Sequence, residues 1–351
     1  MGRARIGVVG TGWGARVQVP AFRLAGLEVT AIAGHDPEKT RRLAGELDVA
    51  PFEDWKDLVA SPEFALVTIV TPPSEHLAMA LAALEAGKHV VSEKPTAMSG
   101  QEAEWMAGAA SRRPGQIALI DHELRFLPAW RRARETRGEL GAIRYAEVRY
   151  ASPGRADPTR PWNWWSDAAR GGGILGAAGS HFVDALRYLV GEITAVQAVL
   201  HTFIAERPFD GGMRRVTSDD FAAAHLRLAG GGIADMVLSV VAARDEETTI
   251  TLHGEKGGLR LQGEDLLRCD AGGEWRTEVR GEPIGVPGNS PGGPFGSGTV
   301  HLGRALKAAL HDGDRTALAP GATFADGLAQ QRVLDAARRS HAAGGAWEEV
   351  R

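Results

Sequence analysis

One cysteine, Cys269, stands in a chain of 351 residues, so no disulfide closes within it and nothing points to an oxidising compartment. A basic excess is missing as well. The 40 Lys and Arg face 44 Asp and Glu, a net charge of −4, which argues against nucleic acid or an anionic membrane surface as partner. No stretch approaches the roughly 20 apolar residues that span a bilayer. The opening Met1-Gly2-Arg3-Ala4-Arg5-Ile6-Gly7-Val8-Val9 is basic and then apolar, but glycine breaks the run well short of a secretory core. A cytoplasmic chain is therefore expected. The histidines are scattered without metal-ligand spacing, so no metal is expected either.

What remains is a composition of 44% apolar and 24% charged residues, enough for real cores in two domains of ordinary size. Early in the chain, β-branched runs alternate with helix-period segments. Strands are predicted at Ile6–Val9, Val29–Ala33, Phe64–Val70, His89–Ser92 and Ile117–Ile120. Helices are predicted at Ala15–Ala25, Pro37–Leu47, Ser74–Ala86 and Gly100–Ala110. This rhythm predicts βαβ units on a parallel sheet covered on both faces. After about Glu123 it changes. A helix over Arg125–Arg137 precedes six runs with polar alternation and Gly-rich turns: Arg144–Tyr150, Ala195–Ile204, Phe221–Leu228, Ile233–Val241, Thr248–Gly254 and Gly258–Leu261. These predict a mostly antiparallel sheet with one open face, which favours a homodimer or homotetramer. Gly281–Gly298 reads as a loop able to cover a site, and helices close the chain at His301–His311 and Thr323–Ala342.

Gly10-Thr11-Gly12-Trp13-Gly14-Ala15 follows the first strand and opens a helix. Each small residue has a physical task there. Gly10 permits the tight turn, Gly12 lets backbone approach a pyrophosphate, and Ala15 lets helix and strand pack closely. The anion would rest on unpaired amides at the helix N-terminus. The alternative is a tight turn with no ligand, which leaves the need for small residues at this spacing unexplained. The expected class is therefore α/β: a Rossmann NAD(P)-binding domain over 1–122, then an α+β domain with the large open sheet over 123–351. At the end of the second strand, Ala33-Gly34-His35-Asp36 lacks an acidic residue at Gly34 to pair with ribose hydroxyls. His35 suits a 2′-phosphate, so the lean is slightly to NADP over NAD, while Asp36 reads as a helix cap.

Three segments together resemble the glucose–fructose oxidoreductase/inositol dehydrogenase (Gfo/Idh/MocA) family. They are the glycine loop, Thr71-Pro72-Pro73-Ser74-Glu75-His76 with Glu93-Lys94-Pro95, and Gly171-Gly172-Gly173 leading to Gly179-Ser180-His181-Phe182-Val183-Asp184. The resemblance covers nearly the whole chain. It implies that Thr71, Pro72, Pro73, His76, Glu93, Lys94 and Pro95 flank the dinucleotide, and that Lys94 positions substrate or shuttles a proton. It also implies hydride transfer between the nicotinamide and a hydroxyl or keto carbon of a sugar, sugar derivative or cyclitol. The residues themselves allow as much: Lys94 sits at the carboxyl end of a parallel strand, where such sheets place their ligand crevice, though a turn lysine can also be merely solvated.

Leu175, Ala178, Phe182, Ala185, Leu186 and Leu189 form a helical stripe, and Ala177, His181, Asp184 and Tyr188 a second face. His181 is thus a candidate acid–base residue with Asp184 in support, against the alternative of a histidine satisfied locally. Many family members carry aspartate where this chain has Ala177. That departure leaves room for a lyase or glycoside-cleaving member that borrows and returns a hydride, or for a catalytically silent dinucleotide sensor. Trp162, Trp164 and Trp165, with His122 and Arg125, are the candidates for holding a carbohydrate-like substrate. A hydrophobic lid or subunit contact is the other use of the tryptophans, and a salt bridge that of Arg125.

Overall fold

The computed structural model describes residues 4–287 and 293–351, and its chain divides into two compact units. The first unit takes the chain up to Ala97, then Gln101–Leu127 and Pro283–Leu328. The second takes Met98–Gly100, Pro128–Glu282 and Ala329–Arg351. A single boundary at 122/123 therefore misses a return of the chain to the first unit.

The first unit is a parallel sheet of β1 (Arg5–Val9), β2 (Glu28–Ala33), β3 (Ala50–Phe52), β4 (Phe64–Ile69), β5 (His89–Ser92) and β6 (Ala118–Ile120). Its strand order is β6-β5-β4-β1-β2-β3, with a two-residue strand, Ala322–Thr323, antiparallel beyond β6. β1 and β4 are apolar and buried along almost their whole length, as a sheet covered on both faces requires. The helices are α1 (Val19–Leu24), α2 (Pro37–Leu47), α3 (Trp55–Ala60), α4 (Pro73–Glu85) and α5 (Gly100–Ser111). Leu58, Met79, Leu84 and Met106 of α3, α4 and α5 join one core cluster. Val19, Phe22 and Ala44 of α1 and α2 join another, completed by Leu302 and Leu306 from the late helix Pro294–His311. That contribution is why the chain returns: without it the apolar side of α1 would lie bare. Gly303 belongs to the same contact, since a Cβ there would meet Ala25 at 2.8 Å.

The second unit contains α6 (Pro128–Thr136), β7 (Ile143–Ala151), α7 (Ser180–Val190), β8 (Ile193–His201), β9 (Glu206–Phe209), β10 (Gly212–Arg215), β11 (Phe221–Leu228) and β12 (Ile233–Ser239). β13 (Glu246–Gly254), β14 (Gly257–Gln262), β15 (Asp265–Asp270) and β16 (Arg276–Val279) follow. The main sheet runs β16-β15-β14-β13-β7-β12-β11-β8, then Glu348–Glu349 at the edge. Only the β7–β12 pair is parallel within it. Burial alternates along β11 and β12, the mark of one covered face.

Several boundaries move, for identifiable reasons. The helix expected over Arg125–Arg137 begins at Pro128, because proline is tolerated only in a first turn; a 3₁₀ turn, Glu123–Phe126, precedes it. The helix expected from His301 begins at Pro294, inside the Gly/Pro-rich stretch. Residues 288–292 of that stretch lie outside the described residues. Among those described, no helix is long and apolar enough to cross a membrane.

Candidate functional site

Register places the key groups of the first unit in one row. Val9 pairs with Ile69, Ile69 with Ser92, and Ser92 with Ile120. The residues that follow these, Gly10, Val70, Glu93 and Asp121, therefore line the carboxyl edge of the sheet. Backbone bonds of 2.7–2.8 Å from Val70, Glu93 and Asp121 to the neighbouring strand ends fix that row.

The glycine loop sits at one end of it. Gly10 has φ +139°, and a Cβ there would lie 2.1 Å from the Val70 carbonyl oxygen. A Cβ on Gly14 would meet Val8 at 2.8 Å, whereas one on Gly12 would meet nothing within 4 Å. So Gly10 and Gly14 serve close packing, and Gly12 faces open space. The helix opens as a π-helical turn, Gly14–Gln18, before α1. Pro20 explains this: it has no N–H for the Arg16 carbonyl and its ring crowds that oxygen, so the turn widens. A dinucleotide fits these residues. The loop amides and the helix N-terminus would hold the pyrophosphate, and Gly12 leaves it room. Thr11 is buried and Trp13 and Ala15 pack inward, so these three support the loop through backbone and packing.

At the adenosine end, Asp36 is the cap expected, accepting from Lys39 N at 3.0 Å, and His35 is exposed. Gly34 has no room for a carboxylate: its Cβ would lie 2.5 Å from Thr11 Cγ2 and 2.6 Å from Thr40 Oγ1.

Further along the row, after β5, stands Glu93-Lys94-Pro95, with a cis bond between Lys94 and Pro95. Lys94 is half-buried and its backbone N donates to Glu93 Oε2 at 3.3 Å. Gln18 Nε2 donates to Asp121 Oδ2 at 2.7 Å and reaches Glu93 Oε1 at 3.4 Å. Gln18, Asp121 and Glu123 are 0%, 1% and 3% exposed, so two carboxyl groups lie almost wholly out of water. Burial lifts all three carboxyl groups, Glu93 above and Asp121 and Glu123 well above the usual carboxylate range. Neighbouring carboxylate charge adds to this for Asp121 and Glu123, while Lys94 opposes it. Gln18 is not singled out by residue pattern; a glutamine among Val17, Val19 and Phe22 on a buried helix is the signal that was there.

A test follows from the sign of these shifts. An acid whose folded-state pKa is raised favours folding below its unfolded pKa and loses that contribution as pH rises through the folded value. Asp121→Asn keeps the shape and removes the ionisation. Its melting temperature is expected to exceed wild type by about 2–4 °C near pH 8, with the gap closing towards pH 5. A gap that widens on acidification would refute this.

Two expected ligands are otherwise engaged. His76 is fully buried, its ring nitrogens 3.0 Å from the Pro95 carbonyl and 2.9 Å from that of Thr71. Both ring nitrogens thus lie against backbone carbonyls of these two segments. Arg125, with a side chain 6% exposed, pairs with Asp326 at 3.5 Å, the salt-bridge alternative to substrate binding. His122 is buried at 2%. Pro73 is also buried; Thr71 and Pro72 are half-exposed.

In the second unit, Gly172 and Gly173 are required by close approach. A Cβ on Gly172 would lie 2.2 Å from the Trp165 carbonyl oxygen, and one on Gly173 2.3 Å from Asp219 Oδ1. Asp219 accepts from Leu175 N at 2.7 Å and so pins the start of the helix. A π-helical turn, Leu175–Gly179, then leads into α7. The apolar stripe from Leu175 to Leu189 is buried as expected, and His181 and Asp184 are buried too, at 3% and 1%.

The tryptophans do not offer three open platforms. Trp162 donates from N and Nε1 to the carbonyls of Pro208 and Arg215, packs on Phe209, and carries the Arg214 guanidinium 3.7 Å from its ring centre. It anchors the β9–β10 hairpin. Trp165 carries Arg155 at 4.0 Å, and Trp164 is half-buried.

Comparison with known proteins agrees with this architecture. Residues 4–120 match the family described as an oxidoreductase family with an NAD-binding Rossmann fold, and residues 130–260 match the GFO/IDH/MocA C-terminal domain. An uncharacterized oxidoreductase of Synechocystis is 35% identical over 289 residues, covering 80% of this chain and 76% of that protein. Levoglucosan dehydrogenase of Pseudarthrobacter phenanthrenivorans is 30% identical over 328 residues, covering 85% and 83%. A solved levoglucosan dehydrogenase in complex with NADH and levoglucosan superimposes with TM-score 0.87 at 27% identity, covering 100% of each chain. The glycine loop, the lysine at the edge of the parallel sheet and the mostly antiparallel second sheet thus identify the chain as a member of the Gfo/Idh/MocA family of NAD(P)-dependent oxidoreductases.

Proposed function

We propose that the protein interconverts a secondary alcohol and its ketone on a sugar, sugar derivative or cyclitol. The observation that carries this reading is the row at the carboxyl edge of the first sheet, where the glycine loop and Lys94 leave strands of the same sheet. Similarity to levoglucosan dehydrogenase supports the substrate class. When bound, the dinucleotide supplies the hydride acceptor or donor. Lys94 orients the reacting oxygen by hydrogen bonding and handles its proton. In the second unit, His181 is the residue suited to proton handling, with Asp184 to orient its imidazole in the absence of an acidic residue at Ala177. Glu93 and Asp121, with Gln18 between them, hold the backbone around Lys94.

Missing charge at Gly34, whose Cβ position is crowded by Thr11 and Thr40, favours NADP over NAD. The open face of the second unit's sheet, with Val199 53% and Ile233 47% exposed, is the surface proposed for homo-oligomer formation.

The experiment is a panel of sugars, anhydrosugars and cyclitols offered with each oxidised dinucleotide, following absorbance of the reduced form. Turnover with at least one polyol is expected, with the higher kcat/KM on NADP. Tight dinucleotide binding with no turnover on any polyol, and no effect of Lys94→Ala, would overturn the reading in favour of a silent binder.

A further inference from the structure

The T-P-P-S-E-H segment and the E-K-P segment are joined through one buried ring. His76 rises from the first turns of α4, and its Nδ1 lies 3.0 Å from the carbonyl oxygen of Pro95, the residue after Lys94. Its Nε2 lies 2.9 Å from the carbonyl oxygen of Thr71, in the loop that leaves β4. Carbonyl oxygens only accept, so both contacts ask the ring to donate. A neutral imidazole has one N–H and can serve one of them; the other then faces a lone pair. Burial pushes the imidazole below its ordinary pKa, while backbone carbonyl contacts, including one at Thr96, push the other way. The Lys94 ammonium also disfavours a second positive charge on the ring.

We propose that His76 is a positioning residue for Lys94: its Nδ1–H holds the Pro95 carbonyl and thereby fixes the backbone from which the lysine projects. The Thr71 contact, at 2.9 Å, is the competing one, and both are bonded only when the ring takes a second proton. This assigns His76 a task different from touching the dinucleotide. Its relevance to turnover rests on the reading of Lys94 as the proton-handling residue, whereas the brace itself does not.

Two amide side chains separate the contacts. Asparagine places its amide nitrogen near the position of Nδ1, and glutamine near that of Nε2. The proteins to compare are wild type, His76→Asn, His76→Gln and His76→Phe. The readouts are the acylation rate of the Lys94 amine by dilute acetic anhydride, resolved peptide by peptide in a mass spectrometer, then kcat, and dinucleotide KM.

His76→Asn is expected to keep Lys94 labelling and kcat within about threefold of wild type, because displacing a reacting group by about 1 Å costs on the order of 10²-fold and this variant avoids that. His76→Gln and His76→Phe are expected to change Lys94 labelling at least about threefold and lower kcat by about tenfold or more, with dinucleotide KM within about twofold. Labelling of the other lysines should stay at wild-type rates. Equal behaviour of Asn and Gln, or a uniform change at all lysines, overturns the proposal. If Phe fails to fold, the Asn–Gln pair still decides. If wild type turns over no polyol, the functional reading fails, and the labelling result judges the brace alone.

Discussion

Lys94→Ala is expected to lower kcat by about 10²-fold or more while leaving dinucleotide affinity within about threefold, since positioned acid–base help is typically worth about 10²–10⁴. The separation follows from where the groups sit. The proposed pyrophosphate cradle is the turn after β1, whereas Lys94 follows β5, a different strand of the same sheet. Lys94→Arg sharpens the result. Arginine keeps the positive charge but does not give up its proton near neutral pH. If the lysine moves a proton, Arg is expected to be as slow as Ala. If it only anchors an oxygen by charge, Arg should recover much of the rate. A Lys94→Ala enzyme at wild-type speed would remove the lysine from the chemistry altogether.

Two glycines of one loop are expected to fail in opposite ways. Gly12→Asp places a carboxylate in the open space above the loop, where a Cβ meets nothing within 4 Å, so the fold should tolerate it. That carboxylate would occupy the ground a pyrophosphate needs and repel it. Dinucleotide affinity is expected to fall by about 100-fold or more, roughly 2.7 kcal/mol, with the melting temperature within about 2 °C of wild type. Gly10→Ala is the reverse. It demands φ +139° of a residue with a Cβ, and drives that Cβ to 2.1 Å from the Val70 carbonyl oxygen. Strain of on the order of 3 kcal/mol or more should appear as a fall of roughly 10 °C. Both results come from thermal melts and nucleotide titrations on the same preparations. Equal melting temperatures for the two variants would show that the loop is not built as described.

The parallel sheet, the glycine loop and Lys94 were legible because each rests on local pattern: β-branched runs, a turn that tolerates only small residues, a lysine next to a strand end. The stripe from Leu175 to Leu189 was legible for the same reason, as was Asp36 capping α2. What escaped depends on segments distant in sequence. Asp121 and Glu123 are buried because Gln18 from the first helix and the helix around Gly298 close over them, Gly298 packing so tightly that a Cβ would meet Glu123 Cγ at 2.9 Å. Nothing near residue 121 announces either. Arg125 finds Asp326, about two hundred positions on, a partner that no local pattern names. The tryptophan cluster suits a sugar platform or a hydrophobic contact by sequence, and the packing of Trp162 on β9 and β10 comes from residues roughly 45–55 positions on. That hairpin had a local signal in Asp210-Gly211, both at positive φ in a two-residue turn. Pro20 and Pro128 fall inside the predicted helices, and only the structure shows that the first widens a helical turn and the second begins a helix.

The proposed chemistry requires a dinucleotide held by the turn after β1. Titrating the purified protein with NADH and with NADPH, following quenching of tryptophan fluorescence, tests it without any choice of substrate. Saturable binding of at least one of them, lost in Gly12→Asp and kept in Lys94→Ala, is the predicted result. No uptake of either nucleotide by the folded wild-type protein, or undiminished uptake by Gly12→Asp, would contradict it.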